Sequence, residues 1–250
     1  MAGRDFAATQ PLRIVDLCTG SGCISLLLHS LLACHFPHIS ILGVDSAPEA
    51  VHLAKRNLRH NVYLGLLQPS SASRIEFRQG DVLTDRANDL FAAREEGCTP
   101  DSPTKPTQSE PCPRGHTGCD ILISNPPYIS PASFRNGTTA RSVRFFEPKT
   151  ALVPPTQMHN RTSPFHEDLF YHHIVSLSFK LPARLTVLEC GDHSQAQRVA
   201  ALCKSMADNS QFSQPLIQMW SSDGSSDGLV EDIPPNTAYG PYAVVMQLLE

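Results

Sequence analysis

Short runs of aliphatic and β-branched residues alternate along the chain with longer segments in which apolar residues recur at helical spacing. The runs predict buried strands, and the spaced positions predict helices. Strands are predicted at 13–17, 39–44, 75–78, 120–124, 185–189, 216–220 and 242–249, and helices at about 24–32, 46–58, 166–180 and 194–207. Alternation of this kind predicts an α/β fold with a doubly wound sheet.

The pattern also predicts how two of the helices begin and pack. The first helix has its apolar face at Ile24, Leu27, Leu28, Leu31 and Leu32. Ser46 and Glu49 have the spacing of a capping box, in which a serine N-cap is followed three residues later by glutamate. The second helix is therefore expected to begin after Ser46.

Two stretches lack any such pattern. In residues 97–119, 14 of the 23 residues are Pro, Ser, Thr or Gly, and none is a large aliphatic or aromatic residue. A segment with nothing to bury cannot offset the entropy lost on ordering, so we expect a flexible insertion at about 85–118 within a single domain spanning 1–250. Residues 130–164 are expected to be irregular as well.

Polar residues follow four of the predicted strands, at 18–22, 45, 81 and 125–128. In a parallel sheet the carboxyl ends of the strands meet at one edge, where ligands bind. The loop Cys18-Thr19-Gly20-Ser21-Gly22 joins a strand to a helix, and backbone amides at such a turn favour an anionic group. This loop is not a P-loop, because no Gly-Lys-Ser/Thr follows.

Two acids extend this prediction. Asp45 lies at the tip of the second strand, where a carboxylate can accept hydrogen bonds from both hydroxyls of a ribose. Asp81, after the third strand, could accept a hydrogen bond from an exocyclic amine such as adenine N6. The pattern fits an adenosine with a charged tail, and because the Gly-x-Gly-x-x-Gly fingerprint is absent, S-adenosylmethionine fits better than NAD.

Asn125-Pro126-Pro127-Tyr128 carries the most specific chemistry. The nitrogen of an amide or aryl amine is a poor nucleophile, because its lone pair is delocalised. The Asn125 side-chain oxygen and the Pro126 carbonyl can accept hydrogen bonds from its two N–H groups, on a backbone stiffened by proline. Tyr128 can pack against the planar group. The motif predicts methyl transfer by positioning and electrostatics.

Composition narrows the function classes. The chain has 250 residues, 41% of them hydrophobic, with a formal net charge of −4. That charge argues against a strongly basic nucleic-acid-binding protein. No apolar run is long enough to cross a bilayer, so no membrane association is expected. Among the eight scattered cysteines, Cys112 and Cys119 flank His116 without a clear fourth ligand, so no metal site is predicted.

The motifs together resemble a known family, the HemK-type glutamine N5-methyltransferases of peptide-chain release factors, which are class I S-adenosylmethionine-dependent methyltransferases. Beside Asn-Pro-Pro-Tyr, residues 143–152 look like the family's Arg-Phe-Glu-Pro-x-x-Ala-Leu segment with one extra residue. Residues 188–195 look like its Leu-Glu-x-Gly-x-x-Gln segment. The resemblance is closest to the mitochondrial, fungal-like branch.

The resemblance implies a fold, an activity and a set of contacts. The fold is a Rossmann-like, seven-stranded, mostly parallel sheet with an antiparallel C-terminal strand. The substrate is the glutamine of a release factor's Gly-Gly-Gln loop, held by Asn125, Pro126, Pro127 and Tyr128, with Glu147 bracing that loop. The residues expected to contact or surround the cofactor are Asp16, Cys18, Thr19, Gly20, Ser21, Gly22, Asp45, Asp81, Val82 and Asn125.

The chain also departs from the family pattern. Cys18 replaces the usual first glycine of the loop, which is expected to require a negative φ at this position. The helical N-terminal domain of the family is not expected here, because the first strand is predicted by about residue 12. A monomer is expected. The resemblance implies a mitochondrial location, or a cytoplasmic one if Met1 is the true start.

Two other functions stay open at this point. An adenine N6-methyltransferase acting on DNA or RNA would use the same Asn-Pro-Pro-Tyr geometry, although the acidic net charge and the Glu147-Pro148 segment favour a protein substrate. A fold that binds S-adenosylmethionine but has lost turnover is the third alternative.

Overall fold

The computed structural model describes residues 10–84, 90, 118–155, 165–208, 214–221, 226–229 and 240–248. Its strands are β1 (Arg13–Leu17), β2 (Ser40–Asp45), β3 (Ile75–Gln79), β4 (Ile121–Ser124), β5 (Leu185–Cys190), β6 (Leu216–Ser221), β7 (Ser226–Leu229) and β8 (Tyr242–Gln247). Its helices are α1 (Cys23–Leu32), α2 (Pro48–Tyr63), α3 (Pro131–Asn136), α4 (Arg141–Phe146), α5 (Lys149–Leu152), α6 (Leu169–Lys180) and α7 (His193–Asp208). Short 3₁₀ turns cover Pro69–Ser73 and His166–Asp168.

These strands form one mixed sheet with the order β3-β2-β1-β4-β5-β8-β6-β7. The first five of that order pair in parallel, and β8 runs antiparallel between β5 and β6. The predicted mostly parallel sheet with an antiparallel C-terminal strand is confirmed. An eighth strand, β7, extends the edge as the antiparallel partner of β6. It was not predicted, because Ser-Asp-Gly-Leu has neither an apolar run nor an alternating pattern.

Two hydrophobic clusters lie on opposite faces of the sheet. Ile14 belongs to one cluster and Val15 to the other, as expected for successive residues of a strand. Helices α1 and α2 pack on the Ile14 face, and α6 and α7 pack on the Val15 face. The prediction of helices on both faces is confirmed, and no helix among the described residues is long and apolar enough to cross a membrane.

The first two helices differ locally from their predictions. Helix α1 buries Ser25, Leu26 and His29, while Leu27 and Leu31 are more than half exposed. The predicted apolar face is therefore wrong at Leu27 and Leu31, whereas Leu28 and Leu32 pack, partly buried, against the cluster on the Ile14 face. Helix α1 also docks through a polar contact of Ser25. Helix α2 begins at Pro48 with Ala47 as its N-cap, so the predicted capping box is wrong. Proline is favoured at the first helical position, which moves the cap one residue beyond Ser46.

Residues 130–152 are more ordered than expected. Three helices of only four to six residues follow one another here, each too short to show apolar periodicity. Ser130 caps α3 by accepting a hydrogen bond from Ser133 N. The predicted insertion falls almost entirely outside the described residues, as do Cys112 and His116, whereas Cys119 is buried.

Candidate active site

Strand register brings the predicted site residues to one edge of the sheet. Leu17 pairs with Val44 on one side and with Ser124 on the other. The residues that follow these three positions are Cys18, Asp45 and Asn125, which therefore lie at the same level on neighbouring strands. Ser124 Oγ also donates a hydrogen bond to the Leu17 carbonyl at 2.8 Å, which fixes the end of β4 against the end of β1. Strand order reverses between these two strands, which is where ligands bind in such folds.

The loop after β1 turns through three residues of positive φ, Cys18 at 59°, Gly20 at 56° and Gly22 at 79°. The expectation that Cys18 keeps a negative φ is wrong. A left-handed conformation costs a residue with a Cβ about 1 kcal/mol or more, and glycine much less. Two backbone hydrogen bonds stabilise the loop in this conformation. Thr19 N donates to the Val44 carbonyl at 3.0 Å, and Gly22 N donates to the Thr19 carbonyl at 2.9 Å.

Glycine is needed for space at two positions of this edge. A Cβ on Gly43 would lie 2.5 Å from the Phe77 ring, and a Cβ on Gly22 would lie 2.7 Å from the same ring. At Gly20 an added Cβ would meet nothing within 4 Å. The glycine loop thus packs closely on Phe77 below, while open space above Gly20 leaves its backbone accessible to a ligand.

Asp16 lies beneath the loop, fully buried. Its Oδ2 accepts hydrogen bonds from Thr19 Oγ1 at 2.6 Å and from Ser25 Oγ at 2.7 Å, the second of which docks α1. Its Oδ1 has no partner in the described part of the chain. Burial raises the pKa of Asp16, and the two hydroxyl donors oppose that rise. A buried acceptor without a donor fits a cationic ligand group such as an ammonium.

Asp45 is held in a fixed orientation by two backbone amides. Its Oδ2 accepts from Gly20 N and its Oδ1 accepts from Ala47 N, both at 2.9 Å. A carboxylate has about four lone-pair positions, so each oxygen retains capacity for a further donor such as a ribose hydroxyl. Asp45 therefore connects the glycine loop to the start of α2 and still offers two acceptors.

Asp81 and Val82 follow β3 at the same edge. Asp81 Oδ1 accepts a hydrogen bond from Leu83 N at 2.9 Å, which makes a tight turn. Val82 is buried in the cluster on the Val15 face of the sheet. The two residues supply one polar and one apolar contact on the β3 side of the loop.

The Asn-Pro-Pro-Tyr segment leaves β4 with Asn125 exposed and both prolines buried. Tyr128 OH donates to Glu189 Oε1 at 3.0 Å. Burial first, and then the negative charge of Glu189, raises the pKa of Tyr128, so the phenol stays protonated as a donor. Ile129 N donates to the Leu152 carbonyl at 2.8 Å, which ties the segment to α5. The Asn125 side chain is thus accessible on a loop anchored on both sides.

Three residues of the β5–α7 corner contact this segment, and sequence reasoning gave them no role. Glu189 bonds the Tyr128 hydroxyl, Gly191 lies against its ring, and Gln195 Nε2 donates to its carbonyl at 3.3 Å. The signal was the likeness of residues 188–195 to the family's Leu-Glu-x-Gly-x-x-Gln segment, although Gln195 lies one residue farther from Gly191 than in that segment. By contrast, Glu147 is exposed and its side chain makes no hydrogen bond or ion pair within the described ranges, so the expected bracing rests on the Ile129–Leu152 bond instead.

Beside the segment, α3, α4 and α5 form a surface that we call the aromatic-basic face. Its side chains are Phe134, Arg135, Arg141, Arg144, Phe145, Phe146 and Lys149. Phe145 and Phe146 are 69% and 87% exposed. Arg141 lies over the Phe145 ring and Lys149 over the Phe134 ring, with 5.4 and 5.8 Å to the ring centroids. Exposed aromatic groups with cations next to an accessible site are typical of a docking surface.

Comparison with known proteins agrees with these observations. No family model matches the chain. It is 30% identical over 198 residues to the probable MRF1 mitochondrial N(5)-glutamine methyltransferase mtq1 of Schizosaccharomyces pombe, covering 77% of this chain and 52% of that protein. It is 32% identical over 146 residues to the release factor glutamine methyltransferase of Escherichia coli, covering 58% and 36%. The chain spans about half, or less, of the length of these relatives.

Among solved structures, the fold is similar to the METTL16 MTase domain, with a TM-score of 0.51, 12% identity and coverage of 98% of this chain and 63% of that one. A structure of the hMettl16 catalytic domain in complex with a MAT2A 3′UTR hairpin gives a TM-score of 0.52 at 14% identity, covering 98% and 67%. At such identities the likeness concerns the fold alone. Motifs, fold and relatives agree, and the chain is a homologue of the HemK-type release-factor glutamine methyltransferases, built on the class I methyltransferase fold.

Proposed function

We propose that this chain transfers a methyl group from S-adenosylmethionine to the side-chain amide nitrogen of the glutamine in the Gly-Gly-Gln loop of a release factor. The observation that carries the proposal is the accessible Asn125 at the end of β4, level with the glycine loop on β1. The names of the relatives, which include N(5)-glutamine methyltransferase and MRF1, support the acceptor. We propose that the chain acts as a single domain and as a monomer.

The residues around the loop fit S-adenosylmethionine. The unpartnered Oδ1 of Asp16 would hold its ammonium, the backbone above Gly20 would accommodate its carboxylate, and Asp45 would bind its ribose. Cys18, Thr19, Ser21 and Gly22 complete that loop, and Asp81 and Val82 would surround the adenine. When bound, the cofactor supplies an electrophilic sulfonium methyl group.

The acceptor side works by holding an amide. Asn125 Oδ1 and the Pro126 carbonyl accept hydrogen bonds from the two N–H groups of the substrate glutamine, which orients its nitrogen and increases the electron density there. Pro127 restricts the backbone, and Tyr128 supplies an aromatic wall. The new N–CH3 bond would replace the S–CH3 bond of the sulfonium, which would leave as a thioether. The methylated nitrogen would then carry two N–H groups, both hydrogen-bonded to these two oxygens, until one proton passes to solvent.

Nucleic acid is the second candidate substrate, and the aromatic-basic face is the observation that favours it. Single-stranded bases stack on exposed aromatic side chains while cations contact the phosphates. An adenine N6 amine would present the same two N–H groups to Asn125 and Pro126. We place this function second because the chain is acidic overall.

As for location, two fungal relatives carry the word mitochondrial in their names, and we propose the mitochondrion for this chain.

The test is a methyl-transfer assay with labelled S-adenosylmethionine. Acceptors are a release factor with Gly-Gly-Gln, the same protein with Gly-Gly-Ala, and an adenine-containing oligonucleotide. Label on the Gly-Gly-Gln protein alone supports the proposal, and replacing Asn125 with alanine should then reduce kcat at least about a hundredfold with a smaller effect on cofactor affinity. Label on the oligonucleotide favours the second candidate. No label with cofactor binding intact would point to a fold that has lost turnover.

A further inference from the structure

The corner between β5 and α7 holds Tyr128 at three separate points. Its hydroxyl bonds Glu189, its ring lies where a Cβ on Gly191 would come within 2.9 Å, and its carbonyl accepts from Gln195. Because Tyr128 directly follows the two prolines, fixing its ring and carbonyl also limits how the Asn125–Pro126 backbone can move. The corner therefore restricts the conformation of the Asn-Pro-Pro-Tyr loop through its contacts with Tyr128.

Gln195 is the buried member of this corner, only 3% exposed. Its Oε1 accepts from Gly191 N at 2.8 Å, which fixes the orientation of the amide group. Its Nε2 is thereby directed towards three acceptors, the Tyr128 carbonyl, the Glu167 carbonyl and Asp168 Oδ1, at 3.3, 3.4 and 3.1 Å. One side chain thus connects the acceptor loop, the corner and the 3₁₀ turn before α6.

Asp168 is in turn fixed by Arg198, one turn farther along α7. Arg198 Nε and Nη2 donate to the two carboxylate oxygens of Asp168 at 2.6 and 2.9 Å, a bidentate pair that balances the buried charge. The Arg198 guanidinium also lies 4.1 Å from the centroid of the Phe165 ring. Asp168, the charged acceptor of Gln195, is therefore itself held in a fixed orientation, which limits how far the Gln195 amide can move.

We propose that Gln195 is a positioning residue for methyl transfer, which sets the acceptor loop through the Tyr128 carbonyl with Asp168 and Arg198 as its support. The proposal rests on the function proposed above. It assigns a role in the acceptor site to a residue whose hydrogen bonds in the described part of the chain go to neither the glycine loop nor Asn125.

Replacement of Gln195 by methionine tests the proposal, because methionine has similar volume and no N–H donor. The matched control is Gln197→Met, two residues along the same helix at an exposed position. The measurements are kcat and KM on the Gly-Gly-Gln protein, the affinity for S-adenosylmethionine by calorimetry, and hydrogen exchange at the Ile129 amide. That amide reports on the loop through its bond to the Leu152 carbonyl.

We expect Gln195→Met to lower kcat at least about tenfold and to speed Ile129 exchange, with cofactor affinity changed less than about threefold and Gln197→Met behaving as the wild type. Equal kcat and equal Ile129 exchange in the two variants would overturn the proposal. If Gln195→Met does not fold, Arg198→Lys removes the bidentate support of Asp168 and leaves Gln195 in place, and the same fall in kcat and faster Ile129 exchange are then expected. If the wild-type chain transfers no methyl group, the proposed function fails, and Ile129 exchange alone decides the role of Gln195.

Discussion

If Asp16 Oδ1 holds the cofactor ammonium as proposed, this single oxygen links the stability of the fold to cofactor binding. Burial raises the pKa of this carboxyl, so the folded chain retains its proton at pH values where the unfolded chain has lost it. The free energy of unfolding therefore falls as pH rises from the unfolded pKa through the folded one. Above that window, ionised Asp16 opposes folding and at the same time offers a negative charge to a ligand.

Asp16→Asn should separate these two effects. The amide keeps an oxygen for Thr19 and Ser25 and carries no buried charge, so we expect stability at neutral pH to equal or exceed that of the wild type. Affinity for S-adenosylmethionine should fall at least about tenfold, because an ammonium loses its counter-charge. Thermal unfolding measures the stability and calorimetry measures the affinity for S-adenosylmethionine, with Asp208→Asn, at an exposed position, as the control. Reduced stability with unchanged affinity would contradict this assignment.

Cys18 gives the second residue-scale prediction. Cys18→Ala and Cys18→Gly both remove the thiol, so their difference isolates the backbone at φ 59°. At an ordinary position alanine is the more stable of the two. Here we expect the glycine variant to be about 1 kcal/mol more stable than the alanine variant, because only glycine adopts a positive φ at little cost. Urea denaturation measures the difference, and an alanine variant of higher stability would show that the loop is not left-handed at this position.

At the scale of elements, the approach of the loop to Phe77 fixes how α1 meets the sheet. Gly22 and Gly65 both have positive φ, at 79° and 71°, so alanine costs each about 1 kcal/mol in backbone strain. Of these two positions, an added Cβ would meet Phe77 only at Gly22. Gly22→Ala should therefore lower the free energy of unfolding by about 2–4 kcal/mol in total, and Gly65→Ala by about 1 kcal/mol. Equal losses, measured by urea denaturation, would mean that the α1–β3 packing adapts freely.

The elements also show which features the sequence could predict. Strands β1, β2, β4 and β5 were predicted because buried parallel strands are mostly aliphatic and β-branched, and β3 because its apolar residues Ile75 and Phe77 alternate with polar ones. The ends of these strands then placed the glycine loop, Asp45 and Asn125 at one edge. Three of the missed features show different reasons. Helices α3 to α5 are too short for periodicity, the α2 cap depends on a competition between Ser46 and Pro48, and α1 docks through Ser25, which no apolar pattern can identify.

Contacts between side chains that are distant in the sequence could not be predicted either. Tyr128 and Glu189 are 61 residues apart, and Gln195 and Asp168 are 27 apart. The likeness of residues 188–195 to a family segment drew attention to Glu189, Gly191 and Gln195, but their common target, Tyr128, follows only from the pairing of β4 with β5. The positive φ of Cys18 likewise depends on bonds to Val44 from the neighbouring strand.

For the molecule as a whole, charge and apolar exposure are unevenly distributed. Residues 131–152 carry four basic side chains and one acidic one, whereas the whole chain has a net charge of −4. The same segment exposes Phe145 and Phe146, and the Ile129–Leu152 bond fixes it to the Asn-Pro-Pro-Tyr loop. We therefore expect a macromolecular substrate that reaches Asn125 to approach across the aromatic-basic face.

This arrangement predicts an effect on substrate binding without an effect on folding. Phe146→Ala removes a ring that is 87% exposed, so the melting temperature and the affinity for S-adenosylmethionine should stay unchanged. We expect KM for the macromolecular acceptor to rise about tenfold, which is typical of an aromatic anchor at an interface, with kcat changed little.

Tyr63→Ala is the matched control for that substitution. Tyr63 is 86% exposed but closes α2, a helix of 16 residues that begins at the site edge of the sheet, so its ring lies about 24 Å along the helix from that edge. Its loss should leave KM unchanged. If both variants raise KM equally, the effect comes from general loss of exposed apolar surface, and if neither does, the acceptor reaches Asn125 by a path that avoids α4.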